Sequence, residues 1–215
     1  MNNDKTTIYL VRHGECVGNR EGRIRGQVDF DLNDNGRLQA RAVAEALKDK
    51  NIEFIYSSPL RRATDTAQMI CDVTGLTYAT DEGFNNFNVG IWENRIKKEL
   101  AVEEPERWRT WLENPEAITF ERGESANDVR RRALASLNKV VERHRGHTVA
   151  IVAHRGVLKP LVAGAICIDS PFFWRIHFDT ASYSILTHDS VHGFCLMLLN
   201  YTDHLKGLPI LQEFD

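Results

Sequence analysis

TTIYLVRHGE, Thr6 to Glu15, is the stretch from which the fold is read. Its first seven residues, TTIYLVR (Thr6 to Arg12), form a short apolar, β-branched run that closes at a glycine-containing turn, the pattern of a buried strand. HTVAIVAH (His147 to His154) repeats the pattern in a still more apolar form. The first run ends on Arg12-His13 and the second on His154-Arg155. Between them, Asn33 or Asp34 caps a predicted helix through Lys48, with Leu38, Ala42, Val43, Ala46 and Leu47 at helical spacing. EFIYSS (Glu53 to Ser58) is a further strand. Ser58 is its expected helix cap and Pro59 the first helical residue of a segment that runs to about Thr74 and stops at Gly75. LTYAT is a short strand after it.

Texture changes from Asn94 to about Arg122, where charges alternate with Trp108, Trp111 and Leu112 along amphipathic stretches. This segment reads as a small helical cap inserted over the sheet, within a single domain covering residues 1–215. Ser125 caps a long helix whose inner face is Val129, Ala133, Leu137, Val140 and Val141. The strand at His147 to His154 leads into a helix over Val157 to Ala165. Ser182 to Thr187 and Phe194 to Asn200 read as a closing hairpin.

Strands alternating with helices imply βαβ units, hence an α/β fold: a three-layer α/β/α sandwich with a mostly parallel sheet covered on both faces. Ligands of such sheets bind beyond the carboxyl ends of the strands, where both histidine-arginine pairs are delivered. The 215 residues, 42% hydrophobic and 27% charged, suffice for one well-packed domain, and the net charge of −3 gives no reason to expect nucleic acid or an anionic membrane as partner. Cys16, Cys71, Cys167 and Cys195 are scattered without a CxxC, as free thiols of a reducing compartment are. No signal peptide is evident and no apolar run reaches the roughly 20 residues of a membrane span, so a cytoplasmic location is expected.

An imidazole can attack phosphorus and divide one hard displacement into two easier ones. The transferring group stays negatively charged throughout, so such a site needs fixed cations, and arginine meets phosphate oxygens bidentately while staying charged. Arg12 beside His13, and Arg62 near a helix start, supply this chemistry. LVRHGE (Leu10 to Glu15) with Asn19 resembles the signature of the histidine phosphatase superfamily, also called the phosphoglycerate mutase-like family. The resemblance continues in order through GRIRGQVDFDL (Gly22, Gly26, Asp29, Leu32), SSPLRRATDTA, GES (Gly123 to Ser125) and AHRG (Ala153 to Gly156). It implies that His13 is the nucleophile and that Arg12, Arg62 and His154 clamp the phosphoryl oxygens. It also implies that Asn19 and Gln27 help to bind substrate, and that no metal and no organic cofactor is needed; Arg155, beside His154, is a further substrate-binding candidate.

One departure from the family pattern concerns the proton donor. In DEGFNNFNVGIWE, Asn86 stands where the family has a glutamate, and an amide cannot serve as general acid. Glu82 lies four positions earlier and Glu93 seven later, with Glu82 the better substitute. Arg155 also replaces a common glycine. The expected activity is a histidine-type acid phosphatase acting on phosphomonoesters of small metabolites. The alternatives are a phosphoglycerate mutase, a phosphohistidine or phosphoramidate phosphatase, and a non-catalytic phosphate-ligand binding module. Oligomeric state is open, a homodimer included.

Overall fold

The computed structural model describes residues 4–211. Six strands form one sheet: β1 (Thr6–Arg12), β2 (Phe54–Ser57), β3 (Tyr78–Thr80), β4 (Thr148–Ala153), β5 (Tyr183–Asp189) and β6 (Gly193–Tyr201), in the order β3-β2-β4-β1-β5-β6. β1 to β4 are mutually parallel; β5 runs antiparallel to β1 and pairs with β6 as the expected hairpin. The register of β1 on β4 runs from Thr7↔Thr148 to Arg12↔Ala153, so both strands end at the same level.

Side-chain alternation divides the sheet's two faces. Ile8 and Leu10 of β1 with Val149, Ile151 and Ala153 of β4 pack into one cluster, and Tyr9, Val11, Ala150 and Val152 into the other. Helices α2 (Asp34–Leu47) and α3 (Arg61–Thr74) cover the second face; α6 (Ala126–Arg143) and α7 (Arg155–Ala165) cover the first. The expected inner face of α6 is buried throughout, and Ser125 caps it through the Asp128 N–H, with Asp128 closing a capping box.

Three local expectations change. A short helix α1 (Val17–Arg20) follows the His13 turn, with a cap built by Asn19 rather than by a recognisable signal. Leu38 is half exposed, while Gln39 takes the buried place because its amide accepts from the Glu15 N–H and donates to the Pro209 carbonyl. Helix α3 begins at Arg61, two residues after the expected Pro59 start. Ser58 is still strand-like there, its N–H bonded to the Val152 carbonyl, and its hydroxyl is engaged by His154. The first N–H of α3, that of Arg61, is instead capped from a distance by Asp29 Oδ1 at 2.8 Å.

Between Asn94 and Arg122 lie α4 (Lys97–Glu103), α5 (Pro105–Glu113) and a 3-10 turn at Pro115–Ala117. Trp111 is buried against Trp92, Phe120, Phe173 and Trp174, with ring centroids 5.5 to 6.3 Å apart. The segment is thereby sealed to the core of the first face.

The start of α2 is pressed against the His13 turn. A Cβ on Gly36 would lie 1.8 Å from the Glu15 carbonyl oxygen, and one on Gly14 would lie 2.3 Å from the Gly36 oxygen. Neither neighbour can retreat, because both are backbone. Gly36→Ala is therefore expected to cost about 3 kcal/mol and to lower Tm by roughly 6 to 12 °C. Calorimetry showing a change of less than a degree would mean that this contact is not tight.

Candidate functional site

Ending β1 and β4 at the same level puts the next residues, His13 and His154, side by side, with ring centroids 5.0 Å apart. Both are almost fully buried, together with Arg12 and Arg62. His13 Nδ1 lies 2.6 Å from the Gly14 carbonyl. A carbonyl only accepts, so the Nδ1 carries the proton and Nε2 keeps its lone pair. The turn that presents His13 is itself tied down, with the Gly14 N–H donating to Thr66 Oγ1.

Arg12 is anchored through Nη1 to the Phe178 carbonyl at 2.6 Å. Arg62 donates Nε to His154 Nδ1 (3.2 Å), Nη1 to the Val28 carbonyl (2.8 Å) and Nη2 to the Gly26 carbonyl (2.9 Å). Each terminal nitrogen carries a second N–H beyond these bonds. Because Arg62 can only donate, His154 Nδ1 is the acceptor and its Nε2–H points to Ser58 Oγ at 2.7 Å. His154 thus uses both ring nitrogens inside the protein, instead of presenting one to an anion as the clamp role expects. The reason is the delayed start of α3, which leaves the Ser58 hydroxyl facing the ring.

Electrostatics follow from this packing. Burial, then the charges of Arg62 and Arg12, hold the His13 pKa well below its ordinary value. Burial, then Arg62 and His13, do the same to His154. Burial also lowers Arg62 to about 10. Both imidazoles are therefore neutral at pH 7.

A cleft with about 540 Å³ of empty space opens above the two histidines. Arg12, His13, His154, Asn86 and Arg155 line it, with Gly26 and the aromatic rings of Phe87, Trp111 and Phe173. Arg62 sits behind this surface. Asn19 is not among the lining residues; its Oδ1 accepts from the Cys16 N–H and thiol, a structural cap. Gln27 stands one residue behind the Gly26 wall, with its N–H on Glu93 Oε1 and its amide on the Asn86 carbonyl. Arg155 lines the cleft, its guanidinium 6.0 Å from the Trp174 ring.

Glu82 is a correction to the expectation. It is exposed on a 3-10 turn, bonded to the Asn85 amide and outside the cleft, because the chain turns inward only at Phe84 and Asn86. Asn86 does occupy the cleft wall. Its Nδ2 donates to the Gly26 carbonyl at 2.7 Å, while its Oδ1 is buried without a hydrogen-bond partner among the described residues. Among the described residues, no Asp or Glu lines the cleft. Sequence reading missed the roles of Ser58, Thr66 and Phe178. Ser58 and Thr66 both lie in the SSPLRRATDTA motif, where the capping signal of Ser58 points to a different use.

The lowered histidines set a pH dependence of stability. Above about pH 6.5 His13 and His154 are neutral in both folded and unfolded chains, so they add no slope. Below it the unfolded chain takes up protons that the folded site refuses, and stability falls as pH drops. The slope reaches about 1.4 kcal/mol per pH unit for each such histidine; His144 and His204, also lowered by burial, act in the same direction. Urea midpoints should decline from pH 6.5 to 5.5 and decline less in His154→Gln. A flat profile would mean that the two rings are solvated.

The sequence pattern of the histidine phosphatase superfamily (branch 1) matches residues 8–201. Phosphoserine phosphatase 1 of Hydrogenobacter thermophilus is 33% identical over 198 residues, 92% of this chain and 93% of that protein. A probable phosphoglycerate mutase of Yersinia pestis is 33% identical over 211 residues, 96% of this chain and 97% of its own. Among solved structures, mycobacterial glucosyl-3-phosphoglycerate phosphatase complexed with VO3 superposes with a TM-score of 0.85 at 28% identity, covering 91% of this chain and 99% of that one. The match over residues 8–201 and relatives one-third identical over nearly the whole chain show that this chain belongs to the histidine phosphatase superfamily.

Proposed function

We propose that the protein is a phosphatase that hydrolyses phosphomonoesters of small metabolites through a phosphohistidine formed on His13. One observation carries the reading: His13 Nδ1–H is locked on the Gly14 carbonyl, so a neutral ring turns its Nε2 lone pair to a cleft flanked by buried cations. Relatives named as phosphoserine phosphatase and glucosyl-3-phosphoglycerate phosphatase support it.

In this mechanism, Nε2 attacks phosphorus as the P–O ester bond breaks, and the alcohol leaves with the bonding pair and takes a proton from solvent water. Arg12 and the second N–H groups of Arg62 neutralise the equatorial oxygens, and the N-terminus of α7 adds its positive end. His154, accepting from Arg62 Nε through Nδ1, holds that guanidinium in place. Water then attacks the phosphohistidine, releasing inorganic phosphate and restoring His13. No metal or organic cofactor enters these steps. Gly26 shapes the wall, Gln27 braces it from behind and Asn19 caps the turn below, and none of the three reacts.

The domain reading belongs to this proposal: one domain over 1–215, with 94–122 as a cap that supplies Trp111 to the cleft. A cytoplasmic location agrees with four free cysteines, and with the finding that no helix among the described residues is long and apolar enough to cross a membrane. A second reading, hydrolysis of phosphoramidates, draws on Asn86. With an amide in place of a carboxylic acid at this position, leaving groups that need little protonation are favoured.

His13→Ala should abolish phosphate release from p-nitrophenyl phosphate while leaving the fold intact. Acid-labile, base-stable phosphate should be trapped on the wild-type protein and absent from the variant. Retention of more than a few per cent of the rate would move the nucleophile elsewhere.

General acid catalysis is worth about a hundred- to ten-thousandfold. Alkyl phosphates should therefore be turned over slowly, and Asn86→Glu should raise their rate more than that of p-nitrophenyl phosphate, whose leaving group departs unprotonated. Equal effects on both substrates would show that Asn86 does not occupy the donor position.

A further inference from the structure

The segment 178–182, just before β5, meets the end of β1 at three backbone points. The Phe178 carbonyl accepts Arg12 Nη1 (2.6 Å), the Ser182 carbonyl accepts the Arg12 N–H (3.0 Å), and the Ala181 N–H donates to the His13 carbonyl (3.1 Å). The path of this segment therefore bears on where the Arg12 guanidinium is offered. That path is not a relaxed one. Ala181 has a φ of 53°, in the left-handed region that a residue with a Cβ keeps only where its surroundings hold it.

A hold comes from Asn200 on β6. Tyr183 pairs with Tyr201 and Ile185 with Leu198, so one residue of β5, Ser184, faces two of β6, Leu199 and Asn200. Such a β-bulge redirects a side chain out of the regular alternation. Asn200 is its left-handed residue, with a φ of 54°, and its N–H is tied to Ser184 Oγ at 2.9 Å. The amide reaches Asp179 and pairs with it twice: Oδ1 accepts the Asp179 N–H (2.7 Å), and Nδ2 donates to Asp179 Oδ2 (2.8 Å). The other carboxylate oxygen of Asp179 faces His177 Nε2 at 3.0 Å.

The Asp179 N–H and the Phe178 carbonyl are the two ends of one planar peptide group, and they point in opposite directions. Fixing the N–H on Asn200 aims the carbonyl at Arg12, and a hydrogen bond at one end of the group strengthens the bond at the other. Neither Asp179 nor Asn200 is among the described residues that line the cleft.

We propose that Asn200, paired with Asp179, is a positioning residue that aims the Arg12 guanidinium at the phosphoryl group through the peptide between Phe178 and Asp179. This rests on the phosphatase reading, in which Arg12 meets the phosphoryl oxygens, and extends it to an edge strand outside the cleft. Neither residue touches substrate, so their loss is felt only through Arg12.

Asn200→Gly tests it, because glycine keeps the left-handed backbone freely and removes only the amide. The kcat/KM for p-nitrophenyl phosphate should fall about tenfold, the worth of a lost hydrogen bond in a charged pair, and inorganic phosphate should inhibit correspondingly less. In an Arg12→Gln background the same substitution should cost less than about twofold, since residues that act through one partner are not additive with its loss. Exchanging the pair gives an independent measurement that does not rest on the glycine variant folding. Asn200→Asp alone sets carboxylate against carboxylate, and Asp179→Asn alone sets amide against amide. The double variant restores one of each and should recover most of the rate. A full loss that persists without Arg12, no loss in Asn200→Gly, or a double variant no better than the single ones would each overturn the proposal. If the wild-type protein releases no phosphate from p-nitrophenyl phosphate, the phosphatase reading fails. The proposal is then judged by calorimetric binding of inorganic phosphate to the same variants, where equal losses of affinity with and without Arg12 would overturn it.

Discussion

The in-register parallel pairing of β1 with β4 is the constraint on which the site depends. Because Arg12 lies opposite Ala153, each strand delivers its next residue, a histidine, to the same point beyond the sheet edge. Strands buried on both faces cannot slip by one residue without turning apolar side chains out of two cores at once. The two clusters beside β1 and β4 therefore hold the catalytic geometry as firmly as any hydrogen bond does. The close contact of Gly14 with Gly36 adds a third fixed element, the start of α2, beneath the nucleophile turn.

A second consequence of burial is chemical. Arg12 and Arg62 sit out of water next to two imidazoles, and the cost falls on the protonation of the histidines rather than on the charge of the arginines. A neutral imidazole is the state that a nucleophile requires. The free site is held ready by internal bonds: Arg62 bridges the Gly26 and Val28 carbonyls and His154, and Asn86 shares the Gly26 carbonyl. Gly26 is a node between the phosphate arginine and the position where a proton donor is expected. Its positive φ of 51° and a would-be Cβ only 2.5 Å from Glu93 Oε1 explain why a side chain is excluded there.

Among the described residues, basic side chains reach the cleft wall from the α1–α2 loop, α4 and α7. Nearby glutamates serve the scaffold: Glu93 accepts from the Gln27 N–H, Glu82 from the Asn85 amide, and Glu15 from Asn33 and Asn35.

Local signals were enough for the strands, the long helices, the cap at Ser125 and the two histidine-arginine pairs, because each depends on periodicity or on neighbours within a few residues. Motif order alone singles out Arg62 and Asn86. Long-range pairing decided the rest. Nothing near Ser58 in the chain reveals that its hydroxyl meets His154 across the sheet, so the helix start was placed two residues early. Leu38 fitted the helical stripe, yet Gln39 is buried because Glu15 and Pro209 come from distant segments to satisfy its amide. Glu82 and Asn86 stand four residues apart, and only the inward turn of the backbone at Phe84 puts one in solvent and the other at the cleft. Period and propensity act over a few residues, whereas the burial of a polar group is settled by whichever partner the tertiary fold brings to it.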